Sequence, residues 1–125
     1  MEEQMMTECE LLVMKVIWKS DDVLSLQEIT ERVNRDYKKN WKPQTVSTFL
    51  GRIVRRGYLS MERRGRVFYY HPLMTEDEYG KNEILKCVDF WSNGRADSFL
   101  SAFIEERKLT DEEKKRIRSL LDDLA

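Results

Sequence analysis

The chain has 125 residues, of which 41% are hydrophobic and 36% are charged. This composition is too apolar for a disordered chain and too charged for a membrane protein. No apolar run approaches the roughly 20 residues that a membrane-spanning helix needs, and the N-terminus lacks the apolar stretch of a signal peptide. We therefore expect a cytoplasmic protein.

Basic residues are concentrated in one part of the chain, although the net charge is only −1. Residues 1–31 contain 2 basic and 8 acidic side chains, and residues 67–125 contain 9 basic and 13 acidic ones. Between them, residues 32–66 contain 11 basic and 2 acidic side chains, a net charge of +9. Because a polyanion responds to the local field rather than to the average charge, this basic block indicates a nucleic-acid partner.

Four capping boxes mark the starts of predicted helices. In each, a Ser or Thr side chain can accept the N–H of a Glu three residues later, and the Glu can accept the N–H of the capping residue. The boxes are Thr7–Glu10, Ser25–Glu28, Thr75–Glu78 and Thr110–Glu113. The first two predict helices over about 8–18 and 26–37.

A third helix and a β-hairpin follow. The helix begins at Pro43, which suits the first helical position because its missing N–H would be unpaired there, and it ends before Gly57. The pattern then changes to two alternating β-rich runs around Arg64 and Gly65, and Pro72 ends the second run. Three helices followed by a hairpin is the order of a winged helix.

Three more helices are predicted over about 76–91, 96–107 and 111–124. The expected fold class is therefore mainly α with a small β-hairpin. A winged helix-turn-helix domain covers residues 1–72, and a helical dimerisation domain covers residues 73–125.

The third helix and the hairpin tip carry the candidate DNA contacts. In a winged helix the third helix enters the major groove, and the hairpin reaches the backbone or the minor groove. Gln pairs with adenine, Ser and Thr contact base edges or phosphates, and Arg contacts guanine or phosphate. The candidates are Lys42, Gln44, Thr45, Ser47, Thr48, Arg52, Arg55, Arg63, Arg64 and Arg66. The alternative is an ordinary solvated face.

Gly51 lies among these residues. Glycine destabilises a helix by about 1 kcal/mol relative to Ala, and the close approach of a neighbour or of DNA would explain its presence here.

The remaining helices are rich in large apolar residues that three short helices cannot bury well alone. A two-fold partner would cover them and would present two recognition helices about one DNA turn apart. The alternative is packing against the winged helix of the same chain. The candidate dimerisation residues are Tyr79, Leu85, Val88, Trp91, Phe99, Leu100, Phe103, Ile117, Leu120 and Leu121.

The sequence contains no recognisable catalytic or metal site. Cys9 and Cys87 are far apart, and His71 has no ligand at zinc or iron–sulfur spacing. We expect two buried free thiols, with a redox pair as the alternative, and a structural role for His71. We expect no cofactor, small-molecule ligand or enzymatic activity.

Several motifs resemble the penicillinase-repressor family, which includes β-lactamase, methicillin-resistance and copper-responsive repressors. Glu10, Val13, Met14, Ile17 and Trp18 match the opening E-x-x-V/I-M-x-x-(I/L)-W. The match continues through residues 42–53, 56–59, 64–70 and 99–121. The resemblance implies a homodimeric winged-helix repressor on an inverted-repeat operator of double-stranded DNA.

Two departures from the family pattern concern regulation. The chain lacks the cysteine-rich end of the copper-responsive branch, so metal sensing is not expected. The antibiotic-resistance repressors are cut at an Asn–Phe bond by a membrane-bound sensor protease, and this chain has Ala102-Phe103 at that place. The resemblance marks Ala102 and Phe103 as the candidate cleavage site. The leading hypothesis is a repressor, and the alternative is a winged-helix protein-interaction module.

Overall fold

The computed structural model describes residues 5–124, which contain six helices and one three-stranded sheet. The helices are α1 (Glu8–Lys19), α2 (Leu26–Tyr37), α3 (Pro43–Arg55), α4 (Glu76–Trp91), α5 (Ala96–Glu106) and α6 (Asp111–Asp122). The strands are β1 (Leu24–Ser25), β2 (Leu59–Arg64) and β3 (Val67–Pro72). This confirms the predicted class, a mainly helical fold with a small hairpin.

The four predicted capping boxes are all present. At the start of α1, Thr7 Oγ1 accepts the N–H of Glu10 at 3.2 Å, and Glu10 Oε1 accepts the N–H of Thr7 at 3.0 Å. The same reciprocal bonds begin α2, α4 and α6. Because each box satisfies two N–H groups at the helix start, local sequence determines where these four helices begin.

The sheet is antiparallel, and β3 lies between β1 and β2. The hairpin of β2 and β3 turns at Gly65, whose φ of 65° is in the left-handed region that favours glycine. The predicted hairpin is therefore confirmed. The sequence did not predict β1, in which Leu24 pairs with Tyr70 and Ser25 with Tyr69. Two residues are too few to show an alternating pattern, so this strand is defined by its partner.

The core of the winged helix lies between α1, α2, α3 and the sheet. Val13, Met14 and Ile29 are fully buried in it, and α3 contributes a stripe of three fully buried residues, Val46, Leu50 and Ile53. This helical spacing directs the opposite side of α3 away from the core.

The described chain divides into two compact units, one up to Gly80 and the other from Lys81. The first unit extends past residue 72 because Met74 and Tyr79 pack against its core. The Tyr79 side chain is only 6% exposed, and its ring lies 5.8 Å from Trp18 and 5.4 Å from Tyr58 between centroids. Tyr79 is therefore a core residue of the first unit, which corrects its assignment to the dimerisation surface.

Among residues 5–80, one charged side chain, Glu10, is fully buried. Besides capping α1, its Oε1 forms an ion pair with Arg56, which follows α3. Its Oε2 lies 4.0 Å from the guanidinium of Arg52 and accepts no hydrogen bond within the part of the chain that is described. A single carboxylate thus connects the beginning of α1 with the end of α3.

We expect Glu10→Gln to lower the free energy of unfolding by about 3 kcal/mol, because it leaves a partly buried arginine without its counter-charge. The amide can still accept the N–H of Thr7, so the capping box is retained. Urea unfolding at 25 °C measures the change.

The matched control is Glu28→Gln, in the capping box of α2. Glu28 is exposed and has no buried ion pair, so its loss should stay within about 0.5 kcal/mol. Equal losses in the two variants would show that Glu10 acts only as a cap.

Candidate nucleic-acid interface

The ten candidate DNA contacts are all exposed, from Lys42 at the start of α3 to Arg66 at the hairpin turn. On α3, Gln44, Thr48 and Arg55 project from the side opposite the buried stripe, as expected for side chains spaced at 100° per residue. α3 therefore presents one polar and basic face, which we call the outer face. Assignment of individual residues to base or phosphate remains a prediction.

The side chains of the outer face are not equally available to a ligand. The hydroxyl of Thr48 donates to the carbonyl of Gln44 at 3.1 Å, so its hydrogen is used within the helix. Arg52 points partly toward Glu10, although its side chain is 46% exposed. The side chains of Gln44 and Arg55 make no hydrogen bond or ion pair with any described residue, which leaves both side chains free to contact a ligand.

The turn between α2 and α3 is held by Asn34, a residue that sequence reasoning missed. Its side-chain amide donates to the carbonyl of Trp41 and accepts the N–H of Trp41, both at 2.9 Å. The Trp41 ring packs 5.1 Å from that of Phe49, with Lys39 Nζ 5.8 Å from its centroid. Trp41 therefore packs against α3 through its ring. The two hydrogen bonds of the Asn34 side chain therefore fix the position of the basic residues that precede α3.

At the hairpin, only part of the predicted positive charge is unpaired. Arg64 forms two 3.0 Å hydrogen bonds with Glu62 and lies 4.6 Å above the Tyr69 ring. Arg63 donates to the carbonyl of Gly65 at 2.8 Å. Arg66 has no hydrogen bond or ion pair within residues 5–124. Because it is the Arg66 side chain that lacks these bonds, Arg66 is the hairpin arginine with the greatest freedom to reach a phosphate.

Glu62 also accepts a second partner, His71, whose Nε2 lies 2.7 Å from its Oε1. The Arg64 guanidinium, followed by His71, lowers the pKa of the Glu62 carboxyl to about 2 from its usual 4.5. Glu62 is therefore ionised at neutral pH. His71 belongs to this half-exposed cluster, and the structural role expected for it remains a prediction.

The start of α3 and the hairpin lie on the same groove. A groove of about 520 Å³ is lined by Pro43, by the first turn of α2 and by Arg66 through Tyr69. The start of α3 and the basic turn are thus neighbours, as a winged helix requires for contact with one duplex.

The second unit exposes many of its large apolar residues. Neither α5 nor α6 contains a buried residue in the described chain. Of the predicted dimerisation residues, Leu85, Trp91, Leu100, Phe103, Leu120 and Leu121 are exposed, and Val88, Phe99 and Ile117 are half-buried. Sequence reasoning missed Phe90, which is 73% exposed and packs edge-on against Trp91. None of the described helices is both long and apolar enough to cross a membrane.

Two further expectations concern the cysteines and the candidate cleavage site. Cys87 lies on an exposed face of α4, which corrects the expectation of a buried thiol, and Cys9 is half-buried. Ala102 and Phe103 are exposed within α5. A protease binds its substrate as an extended chain, so cleavage there would require α5 to open locally. That cleavage remains a prediction.

The order of the elements, with a polar and basic α3 beside a basic hairpin, defines a winged helix-turn-helix protein. A family model described as Penicillinase repressor matches residues 6–123. The chain belongs to the penicillinase repressor family, as its motifs predicted.

Individual relatives agree with this assignment. The chain is 30% identical to the penicillinase repressor of Bacillus licheniformis over 117 residues, 94% of this chain and 89% of that one. It is 24% identical to the methicillin resistance regulatory protein MecI of Staphylococcus aureus over 88% of this chain and 87% of that one. The solution structure of the DNA-binding domain of the repressor BlaI is similar, with a TM-score of 0.53 and 34% identity over 63% of this chain and 94% of that chain. This confirms the predicted winged-helix fold.

We expect the Glu62 pKa to respond to its two partners in the order of their effects. Arg64→Ala should raise the pKa toward 4.5 more than His71→Ala does, because Arg64 contributes the larger effect. Carboxyl NMR titration of Glu62 measures both changes.

The depressed pKa also predicts a pH dependence of stability. The contribution of Glu62 is fully present above its ordinary pKa of 4.5 and is lost as the pH falls toward about 2. An unchanged Glu62 pKa in Arg64→Ala would contradict the assigned cause.

Proposed function

We propose that this protein is a sequence-specific DNA-binding repressor that blocks transcription by occupying an operator, in the cytoplasm where bacterial DNA lies. The observation that carries the proposal is the coincidence of the basic block, net +9 over residues 32–66, with α3 and the hairpin. A basic block distributed over unrelated surfaces would not form a continuous interface.

The geometry supports different contacts for α3 and for the hairpin. The free side chains of Gln44 and Arg55 on the outer face suit base edges in the major groove. Arg66, which has no partner among the described residues, suits a phosphate, a contact that strengthens binding to any sequence. Membership of the family supports a role in repression, since the named relatives are a penicillinase repressor and a regulator of methicillin resistance.

We further propose that the repressor is a homodimer on an inverted-repeat operator. The second unit supports this, because Phe90, Trp91, Leu120 and Leu121 are each more than half exposed. Apolar side chains in such numbers are unfavourable in water, and a second copy of the same unit would cover them. A two-fold dimer would then place two copies of α3 on one side of the duplex.

Paired substitutions should separate base contacts from phosphate contacts. The probes are a duplex selected by the wild-type protein from a random-sequence pool and an unselected duplex of the same length. Gln44→Ala should weaken the selected duplex about 5-fold or more and leave the unselected one unchanged. Arg66→Ala should weaken both alike and reduce the salt slope by about 1.

Fluorescence anisotropy at several salt concentrations measures both effects. Wild-type affinity should fall steeply with salt, because each neutralised phosphate contributes about −0.9 to the log–log slope. A salt-independent affinity would contradict DNA binding and would favour a protein partner.

Sedimentation at micromolar concentration should give twice the chain mass of 15.0 kDa. Leu121→Asp should convert the protein to a monomer, because it places a charge within the apolar surface of the second unit. The matched control is Leu73→Asp, since Leu73 is 60% exposed but lies in the first unit. A wild-type monomer, or a dimer that Leu121→Asp leaves intact, would argue against the proposed interface.

A further inference from the structure

Gly51 occupies the outer face of α3 at a position where glycine weakens the helix. It lies near the middle of α3, on the side away from the buried Val46, Leu50 and Ile53. Glycine inside a helix is less stable than alanine because its backbone loses more conformational freedom on folding. A glycine at this position therefore calls for a physical reason.

No contact among the described residues supplies that reason. Gly57, Gly65 and Gly94 have positive φ angles, but Gly51 does not, so its backbone would accept any side chain. A Cβ added to Gly51 would meet a single atom within 4 Å, Nη1 of Arg55 at an ordinary contact distance of 3.6 Å. The folded chain therefore has room for alanine at this position.

The missing side chain leaves a notch in the outer face. Its neighbours three or four residues away along the helix are Ser47, Thr48, Val54 and Arg55, of which Val54 is half-buried and the other three are exposed. The N–H and carbonyl of Gly51 lie inside the helix, where the helical hydrogen bonds use them. The floor of the notch therefore offers no hydrogen-bonding group, although Nη1 of Arg55 borders it.

We propose that the Gly51 notch reads thymine by receiving its C5-methyl group in the major groove. Of the groups that base pairs expose there, the thymine methyl is the apolar one, and the others are hydrogen-bond donors or acceptors. A Cβ on Gly51 would fill the space that the methyl needs. The inference rests on the proposed DNA-binding function and assigns Gly51 as a specificity-determining position within it.

The test compares Gly51→Ala with Gly80→Ala. Gly80 is also a helical glycine with open space where a Cβ would lie, but it belongs to α4 rather than to the outer face. Both variants should raise Tm by a few degrees, because alanine favours the helix. The probes are the duplex selected by the wild-type protein and the same duplex with single thymines replaced by uracil, which lacks the methyl group.

For the wild type, uracil at one thymine position should reduce affinity about fourfold, the value of burying one methyl group. Gly51→Ala should bind the thymine duplex about 5-fold more weakly or worse, the cost of one mismatched base pair, and should no longer distinguish uracil from thymine. Gly80→Ala should behave as the wild type does.

The inference is overturned if Gly51→Ala retains the affinity and the uracil sensitivity of the wild type, or if no thymine is sensitive to uracil. Both results leave the proposed function intact, because selection and salt dependence are measured on the wild-type protein. If the wild type selects no duplex and its binding is independent of salt, the proposed function itself has failed, and the role of Gly51 fails with it.

Discussion

The buried ion pair between Glu10 and Arg56 is the polar interaction that joins the beginning of α1 to the end of α3. Burying a carboxylate costs several kcal/mol of hydration, which only a well-placed counter-charge offsets. Glu10 caps α1 and pairs with the residue that follows α3. A rotation or slide of either helix would leave a buried charge unpaired, so α3 is held against α1 and its polar side is directed outward.

The helices could be predicted because their signals are local. A capping box acts over three residues, and Pro43 acts at its own position, so neither depends on the rest of the chain. The strand β1 could not be predicted, because Leu24 and Ser25 become a strand only by pairing with distant β3. Tyr79 was misassigned for a related reason. An apolar residue on a helix has the same spacing whether it faces its own core or a second molecule.

For the candidate site, the sequence shows which side chains point away from the core. It does not show which of them form ion pairs or hydrogen bonds within the chain. The outer face follows directly from the apolar stripe of α3. The pairing of Arg52 and Arg56 with Glu10 joins residues that are distant in sequence, so no local pattern reveals it. The ion pair of Glu62 and Arg64 could have been predicted from the sequence, since residues two apart on a strand share a face. An acidic residue inside a basic hairpin therefore indicates that one of the neighbouring basic side chains is paired within the hairpin.

That acidic residue has a consequence for how quickly such a repressor finds its site. The affinity for random DNA depends on how many phosphates the basic side chains neutralise. An Arg64 that stays paired with Glu62 neutralises none of them. A genome offers about a million or more competing sites, so each visit to a wrong one delays arrival at the right one. A hairpin with one arginine paired internally would shorten those visits. The same pairing would weaken binding to every sequence, so a faster search would come with a lower affinity.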